Sequence, residues 1–195
     1  MDDHAQKQVE EETRRLVALV EEITGLRSRW NGQIILLGDA AMLPLLGRRV
    51  SGEKRWSCDI LLHSDFVNDP MRWRTLLHEV LHSVSVGMNE QDCRRFWGWE
   101  EGTAEWLQRR WRPKMLRSLG VSVPEEVFVV AERFWPFNKY LEALQTLQQA
   151  SGLGAETFYR DLLWTPLALR LGAVRALGSE PGFLPLFAQT IGKLR

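Results

Sequence analysis

The chain lacks several features that would direct a protein to a particular environment. Its two cysteines, Cys58 and Cys93, are too few for a disulfide framework. Its 25 basic and 25 acidic residues give a formal net charge of zero, so no overall charge attracts it to nucleic acid or to an acidic membrane surface. No apolar run is long enough to span a bilayer, and residues 1–4 lack the basic-then-apolar order of a secretion signal. We therefore expect reduced thiols, no membrane association and a cytoplasmic location.

The remaining composition is that of an ordinary globular protein. Hydrophobic residues make up 45% of the 195 positions and charged residues 26%. A chain of this length can bury a substantial core as one domain. Arginine outnumbers lysine by 20 to 5, which we interpret as a genomic composition bias rather than a functional feature.

The first third of the chain combines one helical pattern with two strand patterns. Apolar residues at helical spacing over residues 5–28 predict an amphipathic helix, and we expect its acidic side to be solvated. Residues 33–37 follow a turn signal and are closed by Gly38, and they predict a short buried strand. Residues 56–62, introduced by Ser51-Gly52, are a second strand candidate.

A helix with well-marked ends follows the second strand. Asp69 is a favoured N-terminal cap, and Pro70 at the first helical position loses no hydrogen bond that it would have made. The proline also keeps Asp69 out of the helical region, which fixes the start. We expect this helix to run to about Val86 and to end at Gly87.

The rest of the chain has mainly helical patterns. The predicted helices cover residues 99–112, 124–135, 137–150, 155–164 and 166–177, and Pro113 is expected to end the first of them. The sequence therefore predicts a predominantly helical α+β fold. We expect a single domain over residues 1–195, with the strands in its first part and helices after them.

A group of potential metal ligands lies on the helix that Asp69 begins. His78 and His82 are four residues apart, which brings their side chains to the same helix face with Cβ atoms about 5–6 Å apart. Two imidazoles at this spacing can bind one Zn²⁺ at about 2.0–2.1 Å each. Glu79 is adjacent to His78 but points in another direction, so it can hold a water molecule beside the metal. This is the H-E-x-x-H arrangement, and it predicts a zinc site.

A catalytic zinc ion needs a third protein ligand and an open fourth position. The segment Glu101-Gly102-Thr103-Ala104-Glu105 supplies two carboxylates four residues apart on a predicted helix. We assign Glu101 as the third ligand and Glu105 as the acceptor of a ring N–H from a ligating histidine, which would fix that ring's tautomer. Gly102 leaves room for a neighbouring helix to pack closely.

With these residues the chain resembles the gluzincin clan of metallopeptidases, in which H-E-x-x-H is followed on a second helix by a glutamate ligand. Eighteen residues separate His82 from Glu101, and this spacing and the Glu-Gly-x-Ala-Glu segment are similar to the aminopeptidase and thermolysin-type branches. The resemblance covers about residues 56–106. It implies a zincin-like fold with a small N-terminal sheet and zinc helix over residues 1–87, and a helical lower lobe over 88–195.

The resemblance also implies an activity: hydrolysis of peptide bonds with one bound Zn²⁺ and Glu79 as general base, acting on a peptide or protein substrate. The chain has no G-x-M-E-N-like segment, which favours an endopeptidase over an aminopeptidase. Residues 56–62 occupy the sequence position at which the clan has an edge strand that pairs with extended substrates.

The clan's oxyanion group is a downstream Tyr or His, and no His follows His82. Tyr159 is nearer the expected distance than Tyr140, although either ring could instead belong to the core.

Two other functions are compatible with the sequence. A zincin-fold protein can lose catalysis and keep a regulatory or binding role, although an intact Glu79 favours the enzyme. The second alternative is nucleic-acid binding through a basic run with an aromatic residue inside it, which the zero net charge disfavours. That run consists of Arg109, Arg110, Trp111, Arg112, Pro113, Lys114 and Arg117.

Overall fold

The computed structural model describes residues 3–41, 51–178 and 182–194. The main helices in these ranges are α1 (Asp3–Thr24), α2 (Arg72–Val84), α3 (Glu90–Ser118), α4 (Glu125–Glu132), α5 (Asn138–Ser151), α6 (Ala155–Trp164), α7 (Arg170–Ala176) and α8 (Phe183–Ile191). The strands are β1 (Ile34–Leu37), β2 (Gly52–Lys54) and β3 (Ile60–His63). Short 3-10 turns lie at Ser64–Phe66, Leu167–Leu169 and Gly192–Leu194. The predicted predominantly helical α+β class is confirmed, whereas the zincin-like fold stays a prediction.

The three strands form one mixed sheet in the order β1-β3-β2. β3 pairs in parallel with β1, where Ile34 lies opposite Ile60, and antiparallel with β2, where Gly52 lies opposite Leu62. All four residues of β3 are buried. The prediction that residues 56–62 form an edge strand is wrong, because β3 begins only at Ile60 and has a neighbour on each side. Residues 56–59 form a turn in which Cys58 has a φ of 69°.

Strand β2 was not predicted from the sequence. It has three residues, a glycine followed by two charged side chains, and so shows no apolar alternation. In the part of the chain that the structure describes, it pairs only with β3, and its formation depends on that neighbour rather than on its own sequence.

Helix α1 buries the predicted apolar stripe, in which Val9, Leu16 and Val20 are at most 1% exposed. The helix packs against α2 and β1. Its acidic side is only partly solvated, because Glu12 accepts two hydrogen bonds, of 2.9 and 3.0 Å, from the guanidinium of Arg72. The helix confirms the predicted element and ends at Thr24, four residues earlier than expected.

Helix α2 has the predicted N-terminal cap. The Asp69 carboxylate accepts the backbone N–H of Met71 at 2.7 Å, and the helix begins at Arg72. It ends at Val84, and Gly87 follows with a φ of 68°. The predicted helix is therefore confirmed with slightly shorter ends, but Pro70 precedes it and is not its first residue.

Helix α3 is longer than the sequence predicts. It begins at Glu90, has one non-helical residue at Phe96, and continues through Pro113 to Ser118. The prediction that Pro113 ends it is wrong. Proline removes one backbone hydrogen bond, but Met115 and Leu116 beyond it are buried, and their packing offsets that loss.

The contacts divide the chain into two compact units. The first consists of Met1–Val84 and Gln108–Ala131, and it contains the sheet, α1 and α2. The second consists of Ser85–Leu107 and Glu132–Arg195, in which α5 packs against α6 and α8. The expectation of one domain over residues 1–195 stays a prediction. None of the described helices is both long and apolar enough to cross a membrane.

Candidate metal centre

Two buried imidazoles face each other on α2. His78 and His82 are 5% and 4% exposed, and their Nε2 atoms lie 3.0 Å apart. The ring centroids are 4.6 Å apart with the ring planes nearly perpendicular, so the two nitrogen atoms converge rather than the ring faces. Two nitrogen atoms bound to one tetrahedral zinc ion at about 2.0–2.1 Å would be about 3.3 Å apart. The 3.0 Å separation is a hydrogen-bond distance between the two rings, and it is also close to the spacing that two zinc ligands would have.

Glu101 completes a group of three potential ligands. One ligand atom from each of His78, His82 and Glu101 lies within 4.8 Å of the other two, and all three side chains are buried. The residues predicted as ligands thus form a His-His-Glu cluster that could hold a metal ion. The assignment of that ion as zinc stays a prediction.

Glu79, the predicted general base, is 7% exposed and follows His78 on α2. Its Oε2 atom accepts the backbone N–H of Lys54 from β2 at 2.7 Å. This hydrogen bond fixes one of the two carboxylate oxygens. The role of Glu79 as a base stays a prediction.

Glu105, the predicted partner of a ligating histidine, is fully buried on α3. Its bond to an imidazole stays a prediction. The packing role of Gly102, one turn away, is visible: a Cβ atom there would lie 2.7 Å from Leu144 Cδ1 and 3.1 Å from the Tyr140 carbonyl oxygen. A side chain at this position would force the Leu144 side chain to move and would press on the backbone of Tyr140.

A third buried acid on α3, Glu100, was not predicted from the sequence. Glu100 accepts hydrogen bonds of 2.7 Å from Arg170 and from the Ser85 hydroxyl, and Arg170 donates a further bond of 2.6 Å to that hydroxyl. The Glu100 and Arg170 side chains are at most 1% exposed. Because Arg170 lies 70 residues further along the chain, no local pattern links it to Glu100.

Tyr159, the predicted oxyanion group, lies in the core of its unit. It is fully buried, and its ring stacks on Trp106 with centroids 4.2 Å apart and planes within 4° of parallel. Its hydroxyl has no hydrogen-bond partner among the described residues. Burial raises the pKa of Tyr159 above its ordinary value, since the phenolate would lose its hydration. Its predicted contact with a substrate oxyanion stays a prediction.

The basic run on α3 is not uniformly exposed. Trp111 and Arg112 are 4% and 1% exposed. The Arg112 guanidinium donates to Gln108 and Glu125 and lies 4.0 Å from the centre of the Phe128 ring. The only aromatic ring of the run therefore belongs to the core, which weakens the nucleic-acid alternative because bases stack on exposed rings.

Comparisons of the chain with protein-family models, with curated proteins and with solved structures find no match. The resemblance to gluzincins therefore depends on the motif residues and on the His-His-Glu cluster that they form. Neither cysteine is part of a disulfide bond; Cys93 is buried and Cys58 is partly exposed.

Proposed function

We propose that the protein is a zinc-dependent metallopeptidase that cleaves internal peptide bonds. The single observation that carries this proposal is the buried cluster of His78, His82 and Glu101, whose ligand atoms lie within 4.8 Å of one another. Buried ionisable side chains with converging lone pairs are unfavourable unless a cation or a proton compensates them. A divalent metal ion supplies that compensation.

The donor set matches zinc better than the other common divalent ions. Two imidazole nitrogens and one carboxylate oxygen are the protein ligands of many catalytic zinc sites, whereas calcium and magnesium prefer oxygen ligands alone. Three protein ligands leave one position of a tetrahedral site for water or substrate, as catalysis requires. The residues present therefore fit a zinc ion.

When bound, a zinc ion supplies Lewis acidity that polarises a carbonyl oxygen and makes a water molecule more acidic. Glu79 accepts the proton of the attacking water and then delivers it to the leaving amine. His78, His82 and Glu101 would hold the ion, and Glu105 would orient one of the two imidazoles. This division of roles needs Glu79 to be ionised and to keep one carboxylate oxygen available.

The proposal includes the class of substrate. The chain has no G-x-M-E-N-like segment of the kind that aminopeptidases of this clan use to bind a free amino terminus. We therefore propose an endopeptidase acting on a peptide or protein substrate.

A peptide-cleavage assay with Glu79→Gln tests the function. Wild-type protein with zinc is incubated with an internally quenched peptide library, and cleavage is read by fluorescence and mass spectrometry. Glu79→Gln keeps the side-chain size but loses the base, so we expect turnover to fall by at least about 100-fold with zinc still bound. Glu126→Gln, an exposed glutamate on α4, is the matched control and should cleave as wild type does.

The alternative is a catalytically silent protein that uses the same cluster for regulation or binding. The engagement of Glu79 by a backbone amide and the burial of Tyr159 are compatible with it. If wild type and Glu79→Gln both bind zinc and neither cleaves any member of the library, the silent role is favoured and the peptidase proposal fails.

A further inference from the structure

The two sides of strand β2 have different hydrogen-bond partners. On the side that faces β3, the Ser51 carbonyl accepts from His63 and the Arg55 N–H donates to Asp59, both at 2.9 Å. In an antiparallel ladder, alternate residues bond to the partner strand. The backbone N–H of Lys54 therefore points away from β3, and it donates to a partner outside the sheet.

That partner is the carboxylate of Glu79. The distance from the Lys54 nitrogen to Glu79 Oε2 is 2.7 Å, and both residues are 7% exposed. A bond from an amide to an ionised carboxylate, shielded from water, is stronger than one between neutral groups. The outward side of β2 thus holds the one acid that lies between the two histidines in sequence.

Gly52 makes this approach of β2 to α2 possible. A Cβ atom at Gly52 would lie 2.5 Å from Thr75 Cγ2 and 2.9 Å from the Leu61 carbonyl oxygen. It would also lie 3.8 Å from Glu79 Cγ. Any side chain at Gly52 would push β2 away from α2 and lengthen the bond from Lys54 to Glu79.

We propose that the backbone N–H of Lys54 is the group that positions the Glu79 carboxylate for catalysis. This inference depends on the proposed peptidase function and adds a positioning residue to it. A glutamate side chain has three rotatable bonds, and a base must be held in a narrow range of positions to take a proton efficiently. The amide occupies Oε2 and leaves Oε1 for the water proton, so the carboxylate is oriented before substrate binds.

The substitution Lys54→Pro tests the inference because proline has no backbone N–H. The missing N–H is not part of the pairing with β3, so the sheet keeps its hydrogen bonds. Lys54→Ala loses the same side chain but keeps the N–H. The difference in kcat between the two variants therefore measures the contribution of the backbone N–H alone.

The substrate for this comparison is a fluorogenic peptide that wild type selects from the quenched library. We expect kcat of Lys54→Pro to be about tenfold below that of Lys54→Ala, because a hydrogen bond to a charged group has been removed. KM and zinc affinity should agree within about twofold, because the amide contacts neither substrate nor metal ligands. A loss of folding would instead lower zinc affinity and the active fraction together.

Gly52→Ala is the second variant, for use if Lys54→Pro does not fold, as judged by circular dichroism and thermal unfolding. It should also lower kcat with zinc retained. The inference would be overturned if folded Lys54→Pro had a kcat equal to or above that of Lys54→Ala. It would also be overturned if folded Gly52→Ala had a kcat equal to or above that of wild type. Either result would leave the proposed peptidase function unaffected. A wild-type protein that cleaves no peptide would overturn the peptidase function itself, and the inference with it.

Discussion

Glu100 and Arg170 form an ion pair of 2.7 Å in which both side chains are removed from solvent. The next residue along α3, Glu101, belongs to the His-His-Glu cluster. Successive residues of a helix point about 100° apart, so the two neighbouring acids meet different partners. The negative charge of Glu100 is compensated by an arginine, and a metal ion would compensate that of Glu101.

Breaking the Glu100–Arg170 pair should strongly destabilise the protein. In Arg170→Met the buried carboxylate of Glu100 loses its arginine partner, and removing one partner of a buried pair lowers the free energy of unfolding by about 3–5 kcal/mol. Urea unfolding followed by circular dichroism measures the change. Arg94→Met, which breaks an exposed pair with Glu90 on the same helix, is the control and should have little effect. If both variants lost the same free energy of unfolding, the greater effect expected for the buried ion pair would be contradicted.

Two glycine substitutions separate packing from helix propensity. Gly102→Ala places a methyl group 2.7 Å from Leu144 Cδ1, and we expect it to lower the free energy of unfolding by about 1–3 kcal/mol. Gly172 lies inside α7, and among the described residues no atom comes within 4 Å of a Cβ built there. Gly172→Ala should therefore stabilise the protein by up to about 1 kcal/mol. Thermal unfolding measures the melting temperature of each variant. If both substitutions changed the melting temperature in the same direction, the difference in packing between Gly102 and Gly172 would be refuted.

The buried Tyr159 should make the protein lose stability at alkaline pH. Burial raises its pKa, so the folded protein keeps this proton above pH 10, where a tyrosine of the unfolded chain, with a pKa of about 10, loses it. The unfolded state then binds fewer protons, and the free energy of unfolding falls as pH rises through that range. Tyr159→Phe keeps the ring on Trp106 and removes the titrating group, so its stability should fall less steeply between about pH 9 and 11. If the free energy of unfolding, measured in urea, fell equally steeply with pH for wild type and Tyr159→Phe, the burial of the Tyr159 hydroxyl would be contradicted.

The same variant tests the oxyanion role of Tyr159. A phenylalanine cannot donate a hydrogen bond, and losing one oxyanion donor lowers kcat by about 100-fold or more. A kcat equal to that of wild type, with unchanged stability at neutral pH, would assign Tyr159 to the core alone.

Elements whose ends are determined by residues close in sequence were predicted correctly. The helix over Ala155–Trp164 has its predicted ends, and Asp69 caps α2 as expected, because each depends on residues close in sequence. The spacing of His78 and His82 predicted two converging imidazoles, since helix geometry alone determines which side chains share a face.

Features that depend on distant residues were not predictable in this way. β2 has no strand pattern of its own, and its Lys54 amide meets Glu79 only because Gly52 lets the strand approach α2. Pro113 lies inside α3 because buried side chains beyond it offset a missing hydrogen bond. The partner of Glu100, Arg170, is separated from it by 70 residues.

The zinc content of the purified protein and of two variants tests the proposed metal centre most directly. Wild type, His82→Ala and His63→Gln are dialysed against micromolar zinc and then against metal-free buffer, and the bound metal is measured by atomic emission. His63 is a buried histidine that hydrogen-bonds to Asp39 at 3.0 Å, and it is the control for loss of an imidazole. We expect one zinc ion per chain in wild type and in His63→Gln, and none in His82→Ala. Wild-type protein without zinc, or His82→Ala with as much zinc as wild type, would refute the proposed metal centre.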